Sequence, residues 1–192
     1  MRTRFLFLLF ILPLLTGGCK ESRTKKFIAN SEINICFDYE RQPGPGGNQW
    51  AIWVEDSEQN IVKTLFVTRF TATGGYVPRP SCTPLWVKKA QPADLSQETI
   101  DAYTGATPPS GLQTCVWDLT GADGETVSAG TYVIMLEATL LNDSEAIYKI
   151  PVTVGNKHWS VAPEPFFTSE DATNKQMIRS VSVAYLLKKT ES

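Results

Sequence analysis

Alternation of apolar and polar residues with a period of two recurs along this chain and constrains its fold more than any other feature. Within residues 32–39 the apolar side chains share one face of an extended chain, and they are Ile33, Ile35, Phe37 and Tyr39. Such alternation is typical of a strand with one buried face. Strands are predicted on this basis, or from apolar runs between turn signals, over residues 32–39, 50–55, 61–70, 111–117, 131–141, 146–154, near Trp159 and 178–187.

Many short strands separated by turn signals predict an all-β protein. We expect an immunoglobulin-like antiparallel β-sandwich, with a small β-barrel as the alternative. One short helix is predicted over residues 95–103, because Asp94 and Ser96 are favourable cap residues and Gly105 follows. Residues 71–92 are rich in Gly, Pro and Thr, which predicts a long ordered loop with a short strand at residues 85–87.

The first residues have the pattern of a bacterial lipoprotein leader. Arg2 and Arg4 precede an apolar run from Phe5 to Leu15, and the small residues Gly17 and Gly18 stand before Cys19. The run is too short for a transmembrane helix, which needs about 20 residues. We therefore predict a lipoprotein signal peptide over residues 1–18 and lipidation of Cys19. The alternatives are an uncleaved apolar terminus or ordinary cleavage near Gly18.

The remaining residues suit one domain, because domains commonly contain roughly 100 to 150 residues. We predict an acylated Cys and flexible basic tether over residues 19–30, a single β-sandwich over 31–188 and a disordered C-terminus over 189–192. The expected location is the cell envelope, with a lipid anchor in the inner or outer membrane and the domain facing the periplasm or the exterior. The expected partners are that membrane and an envelope protein.

The charge balance argues against nucleic acid as a partner. The chain has 18 basic and 20 acidic residues and a formal net charge of −2. A nucleic-acid surface needs an excess of Lys and Arg on one face. The local basic cluster falls in the tether and consists of Lys20, Arg23, Lys25 and Lys26.

Three cysteines remain besides Cys19. They are Cys36, Cys82 and Cys115, and an oxidising compartment permits one disulfide with one spare thiol. We favour Cys82 with Cys115 over Cys36 with Cys115. The alternative is three reduced and mostly buried thiols, because free Cys packs as a small hydrophobic residue.

The residue inventory predicts no catalytic set, no metal site and no cofactor. His158 is the only His, and no Cys-x-x-Cys pair is present, so a site built from His and Cys lacks ligands. Flat aromatic side chains can stack on sugars, and Trp86 and Trp159 are the candidates for exposed stacking residues. Together with His158 they form the predicted binding surface, and a carbohydrate-binding module is one alternative function. Core packing is the alternative role of both Trp residues.

A turn motif near the middle of the chain resembles a known sandwich corner. Trp117-Asp118 ends one strand, Ala122-Asp123-Gly124 makes a tight turn, and Gly130-Thr131-Tyr132 begins the next strand. This segment resembles the corner of the immunoglobulin-like module in flagellar hook-capping proteins. The resemblance implies a fold and says almost nothing about function.

A second resemblance covers most of the chain after the tether. It rests on Trp50 to Asp56, Ile61 to Leu65, Asp101 to Pro108, the Trp117-Asp118 corner and the strand from Ser180 to Tyr185. These segments are similar in order and spacing to the "domain of unknown function 2271" family of predicted periplasmic proteins. The resemblance implies an envelope protein, often with iron-acquisition or flavin-transferase neighbours. It supplies no catalytic residues.

The leading hypothesis is a lipid-anchored, non-enzymatic binding or accessory module of the cell envelope. The resemblance adds the alternative of an accessory to a flavin, iron-uptake or redox system in the periplasm.

Overall fold

The computed structural model describes residues 31–43, 47–140, 144–170 and 174–187. The predicted leader, Cys19 and the tether lie outside the described residues, as does the predicted disordered C-terminus.

The described residues form ten strands in two sheets. They are β1 (Ser31–Tyr39), β2 (Gln49–Glu55), β3 (Ile61–Thr68), β4 (Thr104–Gly105), β5 (Gly111–Trp117), β6 (Gly130–Thr139), β7 (Glu145–Val154), β8 (Trp159–Val161), β9 (Phe166–Phe167) and β10 (Ile178–Leu187). One sheet has the order β5-β1-β10-β8, and the other has the order β4-β3-β2-β6-β7-β9. Neighbouring strands are antiparallel, except that β3 and β4 are parallel. The predicted all-β sandwich is confirmed.

The main core lies between the two sheets. The alternating apolar face of β1 points into it, and Ile33, Ile35 and Phe37 are fully buried there. The six-stranded sheet contributes Trp50 and Ile52 from β2. The period-two pattern therefore predicts the buried face of β1 correctly.

A helical layer covers the outer face of the six-stranded sheet. It contains α1 (Pro84–Ala90), α2 (Gln97–Tyr103), a kinked π-type turn at Thr71–Gly75 and a 3-10 turn at Pro92–Asp94. The predicted short helix is confirmed as α2, and the Ser96 side chain caps it by accepting a hydrogen bond from the Thr99 N–H at 3.1 Å. A second core forms beneath this layer, with Trp53, Trp86 and Met135 among its members.

The strand predicted at residues 85–87 is wrong, because these residues belong to α1. Pro84 stands at the start of this helix, where its fixed φ suits a first turn. Thr83 and Gln91 flank α1 with left-handed backbone angles, φ 40° and 47°. The helix α1 therefore begins after Thr83 and ends before Gln91, in a segment whose Gly, Pro and Thr content predicts only a loop.

Glu137 joins the helical layer to the sheet. Its carboxylate lies on the outer face of β6, is fully buried, and accepts hydrogen bonds from the Leu85 N–H at 3.0 Å and the Trp86 N–H at 2.9 Å. These are donors in the first turn of α1, which have no partner within the helix. Burial raises the pKa of the Glu137 carboxyl to about 8, although both hydrogen bonds act in the opposite direction.

The strand register shows which residues lie at each end of the sandwich. Ile33 near the start of β1 is opposite Trp117, whereas Tyr39 at its end is opposite Gly111. The nine-residue strand β1 spans about 26 Å. Ser31, the first described residue, therefore lies at the end that carries the Trp117 corner, and the loop before Gly111 lies at the far end.

Candidate functional site

The segment from Asp101 to Pro108 separates two clefts beside β3. It leaves α2 and forms β4, which runs parallel to β3 with Thr104 beside Val67 and Gly105 beside Thr68. A Cβ atom on Gly105 would lie only 2.7 Å from the Phe66 ring. A side chain at this position would displace the ring, so glycine permits the close approach of β4 to β3.

The first cleft, called the outer cleft, lies between α2, β3 and the corner loop. Its volume is about 500 Å³, which is within the usual range for small-molecule sites. Its apolar walls include Ile61, Leu95 and Ala102. Its polar lining consists of Lys63, Thr64, Lys89, Glu98, Thr99 and Tyr103.

Two lysines of the outer cleft are held in fixed positions by carboxylates. The Lys63 ammonium lies 2.8 Å from Asp118 and also donates to the Thr120 hydroxyl. The Lys89 ammonium lies 3.0 Å from the buried Glu55 carboxylate and donates to the Gln59 carbonyl at 2.8 Å. An ammonium has three donors, and Lys89 uses one of them in the hydrogen bond to Gln59, so it has a donor for another acceptor.

The second cleft, called the inner cleft, opens between the edges of β3 and β5. Its volume is about 360 Å³, and its lining includes Trp50, Phe66, Ala106, Pro108 and Cys115. The Trp50 and Phe66 rings stack with their centroids 4.0 Å apart and their planes at 24°. They give the cleft an aromatic wall.

The inner cleft holds a buried polar group and an unreactive thiol. Trp50 is 3% exposed, and its Nε1–H has no hydrogen-bond partner among the described residues. Burial raises the pKa of the Cys115 thiol to about 11. The thiol is therefore protonated at neutral pH and is a poor nucleophile.

Thr107 carries the most available hydroxyl of the segment between the clefts. The Tyr103 and Thr104 hydroxyls are buried and have no partner in the described part of the chain. The Thr107 residue is half-buried in an irregular loop, and its hydroxyl lies 3.4 Å from the Asn48 carbonyl oxygen. Ala106 and Pro108 line the inner cleft, and Thr107 stands between them in the chain.

The three described cysteines are free thiols, so the favoured Cys82–Cys115 disulfide is not formed. Cys115 packs against the core between the sheets. Cys82 is fully buried on the other side of the six-stranded sheet, beside Thr83, whose N–H donates to Thr139 on the outer face. Cys36 faces out of the four-stranded sheet, 3.7 Å from the Thr114 hydroxyl. The alternative of three reduced thiols matches this arrangement.

The predicted binding surface of Trp86, Trp159 and His158 is not assembled. Trp86 is completely buried in the helical layer, and its Nε1–H donates to the Thr64 hydroxyl at 3.1 Å. Trp159 is half-buried at the edge of the other sheet and packs against Tyr185 with ring centroids 5.8 Å apart. The exposed His158 lies beside it, and its Nδ1 accepts a hydrogen bond from the Leu187 N–H at 3.2 Å. The prediction of Trp86 as an exposed stacking residue is wrong.

The described residues contain no group of three or more His, Cys, Asp or Glu side chains placed to hold a metal ion. Within the same residues, no helix has both the length and the apolar character needed to cross a membrane.

Comparison with known proteins identifies the family. A family model described as "Predicted periplasmic protein (DUF2271)" matches residues 37–165, which is more than half of the chain. The chain belongs to this family. No curated protein and no solved structure matches it.

Membership of the DUF2271 family agrees with the cell-envelope location that the leader predicts. The matched range contains β2 to β7, and it includes the whole lining of both clefts. The site residues that the sequence analysis missed are Lys63, Lys89 and Thr107. The segments Ile61 to Leu65 and Asp101 to Pro108 were already distinguished by the resemblance, but only the fold shows that they lie side by side.

Proposed function

We propose that this DUF2271 protein is a lipid-anchored accessory module of the periplasm, without enzymatic activity of its own, that serves a flavin-linked redox system. The leader that ends at Cys19 supports the anchor. The described acidic and basic groups around the clefts support a non-enzymatic role, because Glu55, Asp118 and Lys63 are engaged in fixed ion pairs. The observation that carries the flavin link is the position of Thr107 in an irregular loop, between Ala106 and Pro108, which both line the inner cleft.

The flavin link starts from the flavin-transferase neighbours that the family resemblance implies. A transferase that uses flavin adenine dinucleotide as donor needs an acceptor hydroxyl on its target protein. The hydroxyl oxygen forms a phosphoester bond with the flavin mononucleotide phosphorus, the pyrophosphate bond of the donor breaks, adenosine monophosphate leaves, and the hydroxyl proton is released. Of the three hydroxyls between Asp101 and Pro108, those of Tyr103 and Thr104 are buried. Thr107 is the remaining one, and the irregular loop around it is open to an enzyme.

The inner cleft fits a flavin ring system by size and by wall chemistry. Its volume of about 360 Å³ is within the usual range for small-molecule sites, and the half-buried Phe66 ring, which stacks on the buried Trp50, gives its lining an aromatic side chain. The unpartnered indole N–H of Trp50 is the kind of buried donor that normally has an acceptor. A bound flavin would supply one- and two-electron transfer, and the residues of this cleft would orient it and limit its contact with water.

The position of Thr107 also fits an accessory role. The loop lies at the opposite end of the sandwich from the attachment of the tether, about 26 Å away along β1. A group carried on this loop is presented away from the anchor. A partner protein in the periplasm can therefore approach it without contact with the membrane.

Replacement of Thr107 tests the flavin link. The protein is produced in the periplasm together with a flavin transferase, and flavin fluorescence is measured on the denatured protein in a gel. Thr107→Ala is expected to abolish the signal, because the acceptor hydroxyl is lost, and Thr107→Ser is expected to retain it. Thr104→Ala is the matched control and is expected to stay labelled. Equal labelling of the wild type and Thr107→Ala, or no labelling of the wild type, would refute the assignment.

Replacement of Cys19 tests the anchor separately. Cys19→Ser is expected to move the protein from the membrane pellet to the soluble periplasmic fraction, because the thiol that carries the lipid is absent. The circular dichroism spectrum should stay that of the wild type. Ser22→Ala, three residues further along the tether, is the control and should remain in the membrane fraction. A Cys19→Ser protein that still sediments with the membrane would show that the anchor lies elsewhere.

A further inference from the structure

The outer cleft has the properties of a second binding site, separate from the Thr107 loop. It is formed by at least four parts of the chain, since Lys63 lies on β3, Lys89 on α1, Ala102 on α2 and Ala122 in the corner loop. Its volume is about 500 Å³, which matches a small organic molecule more closely than an ion or a water cluster.

The charges around the outer cleft are asymmetric. Lys63 has its donors directed at Asp118 and Thr120. Lys89 forms an ion pair with Glu55 and donates a hydrogen bond to the Gln59 carbonyl, and it keeps a donor for a further acceptor. The exposed Glu98 is the carboxylate among the lining residues. An anionic group that enters this cleft is therefore expected to bind at the Lys89 ammonium.

The rest of the outer cleft is suited to an apolar body. Ile61, Leu95 and Ala102 line it, with Ala90 and the Tyr103 ring. Apolar walls favour flat ring systems, because such rings bury much apolar area with little loss of conformational entropy. The Lys89 side chain is fixed by the ion pair with Glu55, so its ammonium is already oriented before a ligand binds.

We propose that the outer cleft binds a planar, mostly apolar organic anion, with the anionic group at Lys89 and the rings against Ile61, Leu95 and Ala102. This site does not depend on flavin attachment at Thr107. A ligand in this cleft would contact the Tyr103 ring, which packs against Trp86 with centroids 6.1 Å apart. Binding would therefore change the emission of Trp86.

Two probes with nearly the same ring system distinguish the contribution of the anionic group to binding from the contribution of the apolar rings. Anilinonaphthalene sulfonate carries an anionic group, and phenylnaphthylamine lacks it. Both are titrated into the full-length protein, with their own fluorescence and the tryptophan emission as readouts. The wild type is expected to bind the sulfonate about tenfold more tightly than the neutral probe, because one charge-assisted hydrogen bond forms at Lys89.

Three variants locate the binding. Lys89→Gln is expected to weaken binding of the sulfonate about tenfold and to leave the neutral probe unchanged. Lys88→Gln, the exposed neighbour outside the cleft, is the matched control and should bind both probes as the wild type does. Since Lys89→Gln also leaves the buried Glu55 without its cation, thermal unfolding is recorded for each variant. Ala102→Phe fills the cleft from an exposed position on α2 and is expected to abolish binding of both probes.

Each outcome of these titrations supports or overturns the proposed site. Loss of both probes in Ala102→Phe, with selective loss of the sulfonate in Lys89→Gln, supports the site. Equal affinity of the wild type for the two probes would overturn the proposed anion preference. Unchanged binding in a folded Ala102→Phe protein would overturn the outer cleft as the location.

Discussion

Glu137→Ala is expected to lower the free energy of unfolding by about 3–5 kcal/mol. The substitution leaves the Leu85 and Trp86 N–H groups without their acceptor, and the Trp86 group is buried. Each buried donor without a partner costs about 1–3 kcal/mol, and the lost side chain leaves a cavity in addition. Urea denaturation followed by circular dichroism measures the loss. Glu125→Ala, in an exposed turn, is the matched control and should change stability by less than about 0.5 kcal/mol.

The pH dependence of stability gives a second readout of Glu137. Its pKa is about 8 in the folded protein, above the ordinary value of 4.5. The folded state therefore binds this proton more tightly than the unfolded state does. The stabilising contribution is complete below the ordinary pKa and is lost as the pH rises towards 8. We expect the wild type to lose more stability than Glu137→Gln between pH 5 and pH 8. This pH range covers most of the interval between the ordinary pKa of 4.5 and the folded-state pKa of about 8. Parallel profiles of the two proteins would contradict the assignment, as would a Glu137→Ala protein as stable as the wild type.

Trp86→Ala is expected to lower the free energy of unfolding by about 3–5 kcal/mol. Trp86 is fully buried, packs against Tyr103, and donates to Thr64. Trp86→Phe keeps most of the packing and loses the hydrogen bond, so a loss of about 1 kcal/mol is expected for that bond. Chemical denaturation of the two variants measures the difference.

Trp159→Ala provides the comparison for Trp86→Ala. Trp159 is only half-buried at the edge of the four-stranded sheet, and a smaller loss of stability is expected. Equal and small losses in Trp86→Ala and Trp159→Ala would contradict the buried position of Trp86. Binding of glycans that disappears in a folded Trp86→Phe protein would revive a stacking role for this side chain.

The strands were predictable because alternation carries direct information about a half-buried sheet. The segment Gly111–Trp117 has the predicted bounds, and Trp50 and Trp53 point into different cores, as alternation along β2 requires. The short helix α2 was predictable from the cap at Ser96. In each case a local rule and the tertiary structure agree.

The helical layer was not predictable from the composition of residues 71–92. Their Gly and Pro content indicates a loop, and Thr83 and Gln91 adopt left-handed angles that their residue types do not favour. One signal was present in β6, where Val133 and Met135 make the outer face apolar. An apolar outer face needs a cover, so this pattern already implied a further layer. The partners of Glu137 could not be predicted, because they come from a segment about fifty residues earlier in the chain.

The candidate site was likewise predictable from the sequence only in part. The resemblance distinguished the segments Ile61 to Leu65 and Asp101 to Pro108, but not their contact through β3 and β4. Spacing along the chain carries no information about which hydroxyls are buried. The separation of Thr107 from Tyr103 and Thr104 by exposure therefore required the fold.

Peptide mapping by mass spectrometry of the unaltered protein, recovered from the periplasmic side of a membrane that contains a flavin transferase, tests the central claim most directly. We expect one flavin mononucleotide in phosphoester linkage on the peptide that contains Thr107, in a protein whose N-terminus is a lipidated Cys19. The same peptide at its unmodified mass in all of the recovered protein, or a flavin on another peptide, would contradict it.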